Sequence, residues 1–468
     1  MGNNLFTIIK NTGIYFLGNV FSKLLAIILV PVYTRYISPS DYGYYDLTIV
    51  CISVFTMILF LNTGTAVLRF VIDKKWPKSK IFSSALFLFL ISAAAYTLLF
   101  TASAYYFPFK YSYLIYLCGL LDSLVAIQLS ILRSEGKNTV YVVSSIISSS
   151  VQCIFAILLL VVFKMDFSAL FISMIAASAL RLIIAENYTR FIRNFLVSEI
   201  DKKLLYSMLA FSIPLVLNGI SYWFSSSYSK VVLVAKLGDA VNGLYATAGK
   251  FGMGISLAGA GFALAWQEMA YKKTSEKSDP AFFSKAFNFY LKVVFSIYIL
   301  LIPIVNLMFP YLVAKDYMDA IDFVPLYMLW VLLDMITHFL GNIITGLKKT
   351  KEIFITTLAG AMLSVILLHV LIPLIGINGA NLSLIAGFIL TWILRLKILK
   401  QAISLKTDIK PVLVIMPLVI FVASGILTHD FRINISAFIC LALFAFVYNL
   451  KEIRQVYTAL EAKFKRVN

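Results

Sequence analysis

The sequence predicts an all-α polytopic membrane protein with about fourteen transmembrane helices. Of its 468 residues, 61% are hydrophobic and only 13% are charged. Apolar windows of roughly 20 residues, the length that crosses a bilayer, recur from one end of the chain to the other. A soluble domain could not shield this much apolar surface from water. The sequence therefore leaves no room for a separate soluble domain.

The candidate helices are apolar stretches separated by short polar breaks. The last two are the shortest, and a basic tail follows them at residues 451–468. The fourteen predicted helices cover residues 10–36, 44–68, 80–107, 112–132, 138–163, 167–192, 204–236, 241–269, 283–309, 319–346, 352–373, 378–399, 411–428 and 432–449.

The distribution of basic residues predicts the orientation of these helices. Most of the 40 Lys and Arg residues fall on the same side as the N-terminus, including those at positions 181–203 and 395–410. The opposite side holds Arg35, Lys110, Lys164, Lys236, Lys315 and Arg432. An excess of Lys and Arg marks the cytoplasmic side, so both termini are predicted to be cytoplasmic. The net charge of +18 is then explained by topology and anionic lipid, and no nucleic-acid partner is expected.

An internal repeat predicts the domain organisation. The connector VPVYTRYISPSDYGYYDL at residues 30–47 has a loose copy, LVAKLGDAVNGLYATAGK, at residues 233–250. Weaker matches at an offset of 213 pair RSEGKN with GLKKTK and DFSAL with GANLS. These matches predict two pseudo-symmetric six-helix bundles at 1–200 and 201–400, two additional transmembrane helices at 401–450 and a cytoplasmic tail at 451–468. Two such halves usually enclose a site near the midplane of the membrane.

The connector at residues 30–47 is predicted to be a stiff turn on the charge-poor side. Pro39 and Gly43 favour a tight turn over a long flexible loop. Five tyrosines suit the headgroup region of the bilayer. Short stiff connectors would allow each pair of helices to move as one body.

Lysines inside the predicted helices are the first candidate functional residues. Three intramembrane ammonium groups facing lipid would cost about 3 kcal/mol each, so we expect them to face a watery cavity or an anion. The alternative is that they reach the interface or form structural ion pairs. Polar residues lie at helical spacing beside them, and Arg69 could contact a phosphate at the cytoplasmic mouth or serve only as a topology signal. The predicted cavity residues are Lys23, Lys230, Lys250, Asn19, Asn218, Tyr222 and Arg69.

Intramembrane carboxylates are the second candidates. Asp334 and His338 are one helical turn apart, and Asp122 matches Asp334 within one position of the repeat. A carboxylate beside a histidine can exchange a proton near neutral pH, so these residues are predicted to couple transport to a proton or sodium gradient. The alternative is an internal pair that braces the bundle. The chain lacks an ATP-binding motif and other catalytic signatures, and its four cysteines lack metal-type spacing, so no cofactor, metal site or catalytic residue is predicted.

Three segments resemble a known family of flippases. The segments VPVYTRYISPSDYGYYDL, FLNTGTAVLRF and ILRSEGKN, with the two six-helix halves, resemble the Wzx-type oligosaccharide flippases of the polysaccharide transport family. That family belongs to the multidrug/oligosaccharidyl-lipid/polysaccharide (MOP) exporter superfamily. The resemblance covers essentially the whole chain. It implies a bacterial inner-membrane protein, not an enzyme, that works by alternating access.

The resemblance also implies a substrate and partners. The substrate would be an undecaprenyl-diphosphate-linked oligosaccharide, moved from the cytoplasmic to the periplasmic leaflet for O-antigen, capsule or exopolysaccharide assembly. Its sugars would cross a cationic cavity matched to Lys23, Lys230 and Lys250, with the polymerase and chain-length proteins of the pathway as partners. Many relatives have twelve spans, whereas the lipid II flippases have fourteen. A lipid II flippase and a multidrug or cation antiporter therefore stay open as alternatives. A polymerase or ligase is disfavoured because the outer connections are short.

Overall fold

The computed structural model describes residues 18, 20–106, 108–275, 280–408, 410–423 and 430–450. Every regular element among these residues is a helix. Eleven helical segments of this part of the chain are long and apolar enough to cross a membrane, and a shorter apolar helix lies at Val412–Val422. The predicted all-α polytopic fold is confirmed.

The described residues up to position 237 form ten α-helices. A π-helical turn, Leu158–Val162, extends α7, and a short 3-10 helix lies at Val197–Glu199. The helices are α1 (residues 20–28), α2 (Val30–Tyr36), α3 (Pro39–Leu59), α4 (Thr63–Asp73), α5 (Lys78–Tyr106), α6 (Ser112–Ser134), α7 (Asn138–Ile157), α8 (Ser168–Thr189), α9 (Lys202–Ser226) and α10 (Tyr228–Leu237).

Seven further α-helices follow, with a 3-10 helix at Lys315–Phe323 leading into the third of them. They are α11 (Asp239–Ser275), α12 (Pro280–Leu312), α13 (Val324–Gly346), α14 (Thr350–Ile375), α15 (Ile377–Ile403), α16 (Lys410–Ala423) and α17 (Phe431–Tyr448).

Two predicted helices are interrupted. The predicted segment 44–68 consists of α3 and α4, because Leu61 and Asn62 adopt left-handed backbone angles, with φ of 53° and 49°. Asn tolerates this conformation better than most residues, and the chain changes direction there. The predicted segment 204–236 consists of α9 and α10, with the break at Ser227.

The predicted turn around Pro39 and Gly43 is wrong in its position. Only Ile37 and Ser38 separate α2 from α3. The Ser38 hydroxyl caps α3 by accepting a bond of 3.1 Å from the backbone N–H of Asp41. Pro39 occupies the first turn of α3, where its fixed φ favours helix formation. Gly43 therefore lies inside the helix, and its small size must serve another purpose.

Contacts divide the chain into two compact units, residues 1–243 and 244–468. This boundary lies beyond the predicted one at 200/201. The reason is that α9 packs on α3, α4 and α5, so that it joins the first unit. The helices α16 and α17 pack on α12 of the second unit, although the sequence analysis set residues 401–450 apart.

The same helix pairing occurs in each unit. In the first unit α8 packs on both α6 and α7, and in the second unit α15 packs on both α13 and α14. These helices are the ones that the 213-residue offset aligns. The repeated pairing supports the predicted duplication of one structural module.

The two ends of the first unit differ in charge, as predicted. We define the charge-poor end by residues 37–46, 108–112, 163–168 and 230–243, and the basic end by residues 74–80, 133–137 and 187–203. At the charge-poor end the Tyr44 hydroxyl donates to the Lys110 carbonyl at 3.2 Å. At the basic end the Lys78 ammonium donates to the Glu135 carboxylate at 2.7 Å. The loops that the charge distribution assigned to the same side of the membrane therefore lie together at one end of the first unit. Which end faces the cytoplasm stays a prediction.

Candidate functional site

An ion pair at the charge-poor end joins α3 to α10. The Lys230 ammonium lies 2.7 Å from one carboxylate oxygen of Asp46 and 3.0 Å from the other. The side chains of Lys230 and Asp46 are only 15% and 17% exposed. The Asn242 amide, on the first turn of α11, donates to the Gly43 carbonyl at 2.8 Å and to Asp46 at 3.4 Å. The carboxylate therefore ties three helices together.

Two glycines allow the backbones to cross beside this ion pair. A Cβ atom on Gly43 would lie 1.8 Å from the carbonyl oxygen of Asp239, and one on Gly243 would lie 1.9 Å from that of Pro39. Both obstacles are backbone atoms, which cannot rotate away. Gly43 and Gly243 are equivalent in the 200-residue repeat, and the contact is reciprocal. Only glycine at both positions permits this crossing.

The Lys230 ammonium can pair with a carboxylate or with another anion. An ammonium group is a compact charge with three donors, and Asp46 and a phosphate oxygen are equivalent partners for it. The net stabilisation by such a shielded pair is small, but a Lys230 left without its partner would be costly. A shielded ammonium group needs an anionic partner, and in this structure that partner is Asp46. Sequence reasoning identified Lys230 and missed Asp46, because the partners are far apart in the chain.

The other predicted cavity residues have varied surroundings. Lys23 on α1 is half-buried in the first unit, and Lys250 on α11 is half-buried in the second. Asn218 and Tyr222 on α9 are exposed. Arg69 is exposed on α4 and pairs with Asp73 at 3.3 Å. Asn19 lies outside the described residues. That these groups line one cavity stays a prediction.

Asp122 belongs to a cluster of polar side chains in the first unit. Its carboxylate accepts a hydrogen bond of 2.8 Å from Ser178 on α8. The charge of Arg181, one turn further along α8, also acts on it. The Arg181 guanidinium in turn donates to the Ser145 hydroxyl on α7. The cluster links α6, α7 and α8, which favours a bracing role for Asp122.

Asp334 belongs to an equivalent cluster in the second unit. Its carboxylate lies 3.4 Å from the His338 ring, as the spacing predicted, and the His338 side chain is 62% exposed. The charge of Arg395 on α15 acts on Asp334. Arg395 is buried and donates to the Thr337 carbonyl and to the hydroxyls of Thr356 and Thr357.

The two arginines were missed by sequence reasoning. It counted Arg181 and Arg395 only with the charges of the basic side, whereas both lie within helices, where their charges act on Asp122 and Asp334. The repeat carried a usable signal. Arg181 and Arg395 are separated by almost the same offset as Asp122 and Asp334, and a duplicated Asp and Arg on paired helices predicts that the two charges lie near each other.

The described residues contain no group of three or more His, Cys, Asp and Glu side chains that could hold a metal ion. Ion coupling through Asp122, Asp334 or His338 stays a prediction. Of the three, His338 has the side chain most open to its surroundings.

Comparison with solved structures identifies the fold. The inward closed conformation of the lipid II flippase MurJ superimposes with a TM-score of 0.69 at 18% identity, over 94% of this chain and 100% of that one. An inward-facing multidrug resistance MATE family transporter of the MOP superfamily gives 0.65 at 14% identity, over 82% and 94%. A MOP superfamily transporter from Pyrococcus furiosus, described by the reverse polarity of its binding pocket, gives 0.58 at 12% identity, over 86% and 96%.

Sequence comparison identifies the family. No curated protein matches the chain significantly. A family model described as polysaccharide biosynthesis protein matches residues 8–266, which is more than half of the chain. This chain therefore belongs to the polysaccharide biosynthesis protein family, and it has the fold of the MOP superfamily of flippases and transporters.

Proposed function

We propose that this protein is a flippase for undecaprenyl-diphosphate-linked oligosaccharides. It moves them from the cytoplasmic to the periplasmic leaflet of a bacterial inner membrane, for O-antigen, capsule or exopolysaccharide assembly. Family membership and the flippase and transporter fold support this function. The basic end of the first unit and both termini are then cytoplasmic, and the charge-poor end is periplasmic.

The observation that carries the proposal is the shielded ion pair between Lys230 and Asp46. A lipid diphosphate competes with Asp46 for the ammonium group of Lys230. Once Asp46 loses this partner, α3 is held to α10 and α11 by the Asn242 bonds and by packing of Gly43 against Gly243. A ligand shifts a conformational equilibrium by its difference in affinity for the two states. The diphosphate therefore favours opening of the periplasmic end.

A gradient drives the return step in this proposal. The Asp334–His338 pair combines a carboxylate with an exposed imidazole, and imidazole changes charge near neutral pH. If this pair takes up a proton from the periplasmic side and releases it to the cytoplasm, the inward movement of protons drives the outward movement of the lipid. Sodium is the alternative coupling ion. The polymerase and chain-length proteins of the same pathway are the proposed partners at the periplasmic side.

The test is a flipping assay with purified protein in liposomes. Undecaprenyl-diphosphate oligosaccharide, lipid II and a cationic dye are supplied separately, and each is followed by its accessibility to an impermeant reagent. We expect flipping of the oligosaccharide lipid, and its loss when Lys230 becomes Met. Flipping of lipid II alone would identify the protein as a lipid II flippase, and export of the dye alone would identify it as a cation antiporter.

A cellular assay complements the liposome assay. Deletion of the gene is expected to leave lipid-linked oligosaccharide exposed only to the cytoplasm, and the wild-type gene is expected to restore its export. Normal periplasmic exposure in the deletion strain, with no second transporter of this family present, would contradict the proposal.

A further inference from the structure

An elongated apolar cavity lies between α3, α5 and α6 of the first unit. Its volume is about 670 Å³, which is within the usual range of ligand pockets. It follows α3 from Tyr44 to Leu59, with Cys51 and Phe55 on the wall between them. The lining is almost entirely apolar, so a sugar or a charged group has no partner inside.

The cavity exists because α5 packs against the unit over only part of its length. The buried residues of α5 begin at Ile81 and end at Tyr96. Beyond Tyr96 none of the described residues of α5 is buried: Leu98 and Leu99 are 71% and 53% exposed, and Leu99 lines the cavity. The charge-poor half of α5 thus stands apart from α3 and leaves a space open to the lipid.

Aromatic packing keeps this space open. Phe100 contacts Tyr96, Phe109 and Tyr116, with ring centroids 5.4 to 5.6 Å apart. Tyr96 also stacks on Tyr116 at 5.4 Å. Such ring pairs are favourable beyond the area they bury, and they brace this wall of the cavity. In a bilayer an apolar cavity of this kind is filled by a hydrocarbon chain.

The length of the cavity favours a long chain. Fifteen helical steps from Tyr44 to Leu59 correspond to about 22 Å. One leaflet of the hydrocarbon core is about 15 Å thick. An ordinary acyl chain ends near the midplane and would leave the far part of the cavity empty. A polyisoprenoid chain is long enough to fill it.

A cationic group lies at the mouth of the cavity. Lys110 follows Phe109 of the lining, and its side chain is 68% exposed. Its ammonium lies 3.7 Å from Asp41 and 5.6 Å from the centre of the Phe167 ring, and its charge also acts on Asp166 and Asp239. An ammonium group has three donors, so a phosphate would share it with these carboxylates. Tyr44, whose hydroxyl bonds the Lys110 carbonyl, fixes this residue beside the entrance.

We propose that this cavity binds the polyisoprenoid tail of a lipid phosphate, with its phosphate at Lys110. The inference rests on the proposed function in one respect, since the carrier lipid of that function supplies such a tail. The tail site would hold the carrier at the periplasmic side while its head group leaves the transport path.

Binding is tested with purified full-length protein by native mass spectrometry, using undecaprenyl phosphate and a dioleoyl phosphatidylglycerol as probes. Cys51→Trp fills the cavity, and Leu98→Trp adds the same group to the outer face of the same region. We expect Cys51→Trp to weaken undecaprenyl phosphate binding about tenfold or more and Leu98→Trp to leave it unchanged. Lys110→Gln should weaken binding of the phosphate but not of undecaprenol.

A second measurement needs no change in the cavity. In a Cys440→Ser background, undecaprenyl phosphate should slow the reaction of Cys51 with a membrane-permeant maleimide, while the buried Cys118 and Cys153 serve as unreactive references. Equal protection by phosphatidylglycerol, or no protection by either lipid, would overturn the inference. Neither measurement requires flipping, so a failed flipping assay would reject the proposed function and leave this result intact.

Discussion

Two lysine–aspartate pairs in the first unit have the same chemistry and different surroundings. Lys230 and Asp46, at the charge-poor end, are 2.7 Å apart and only 15% and 17% exposed. Lys80 and Asp201, at the basic end, are 3.2 Å apart and 38% and 20% exposed. The first pair lies beside a glycine crossing, whereas Asp201 also caps the first turn of α9.

The difference separates a shielded contact, which only another charge replaces cheaply, from a contact that exchanges with water. An exposed pair exchanges with water and contributes about 0.2–1 kcal/mol. A shielded pair cannot be broken cheaply unless another charge takes the place of one partner. On the proposed function, Lys230 responds to an anionic ligand and Lys80 does not. The predictions below test this contrast.

Loss of the shielded ammonium should have the largest effect on stability. Lys230→Met leaves the Asp46 carboxylate with only the Asn242 amide, and breaking such a pair costs about 3–5 kcal/mol. Lys80→Met should cost no more than about 1 kcal/mol. Denaturant unfolding in detergent measures both. Adding Asp46→Asn to Lys230→Met should recover most of the loss, and failure to recover it would show that the two residues are not coupled.

The glycine crossing should be the next most sensitive feature. Gly43→Ala brings a Cβ atom against the Asp239 carbonyl, so the helices must separate, at a cost of about 1–3 kcal/mol. Gly254→Ala is the matched control, because the nearest atom to its Cβ is 4.0 Å away. We expect a lower midpoint of thermal unfolding for Gly43→Ala only. Equal midpoints would contradict the close crossing.

Hydropathy alone predicted the fold. Lys230 was identified as a candidate because a lysine in a transmembrane helix is energetically costly unless it has a polar partner. Asp46 could not be identified in this way, because no pattern in the neighbouring sequence distinguishes a carboxylate whose partner lies in a distant helix. Sequence reasoning misread Gly43 as a turn residue, since glycine serves both turns and close helix packing. The burial of Arg395 depends on hydroxyls from α14, which no pattern within α15 reveals.

The two carboxylate clusters should differ in their effect on coupling. Asp122 is held by Ser178 and Arg181, whereas Asp334 has an exposed imidazole beside it. We expect Asp334→Asn to flatten the pH dependence of flipping and Asp122→Asn to preserve it. Flipping rates in liposomes at several pH values measure this. If the pH dependence of flipping flattened equally in both variants, Asp122 and Asp334 would not differ in their role in coupling.

The smallest effect is expected at the cap of α9. The backbone N–H of Leu204 and the Lys80 ammonium hold the pKa of Asp201 below its usual 3.8. Its stabilising contribution is therefore fully present above pH 3.8 and is lost as the pH falls through the lowered pKa. Unfolding midpoints of wild type and Asp201→Ala should differ slightly at pH 7 and converge in acid. A difference in midpoint that does not change with pH would contradict the lowered pKa of Asp201.

Distance measurement between α3 and α10 tests the central claim most directly. Spin labels replace the exposed Ser40 and Lys236 at the charge-poor end of a cysteine-free variant. Saturating undecaprenyl-diphosphate oligosaccharide should populate a longer distance between the labels, and Lys230→Met should abolish that response. An unchanged distance distribution, in protein that still flips the lipid, would contradict opening by exchange at Lys230.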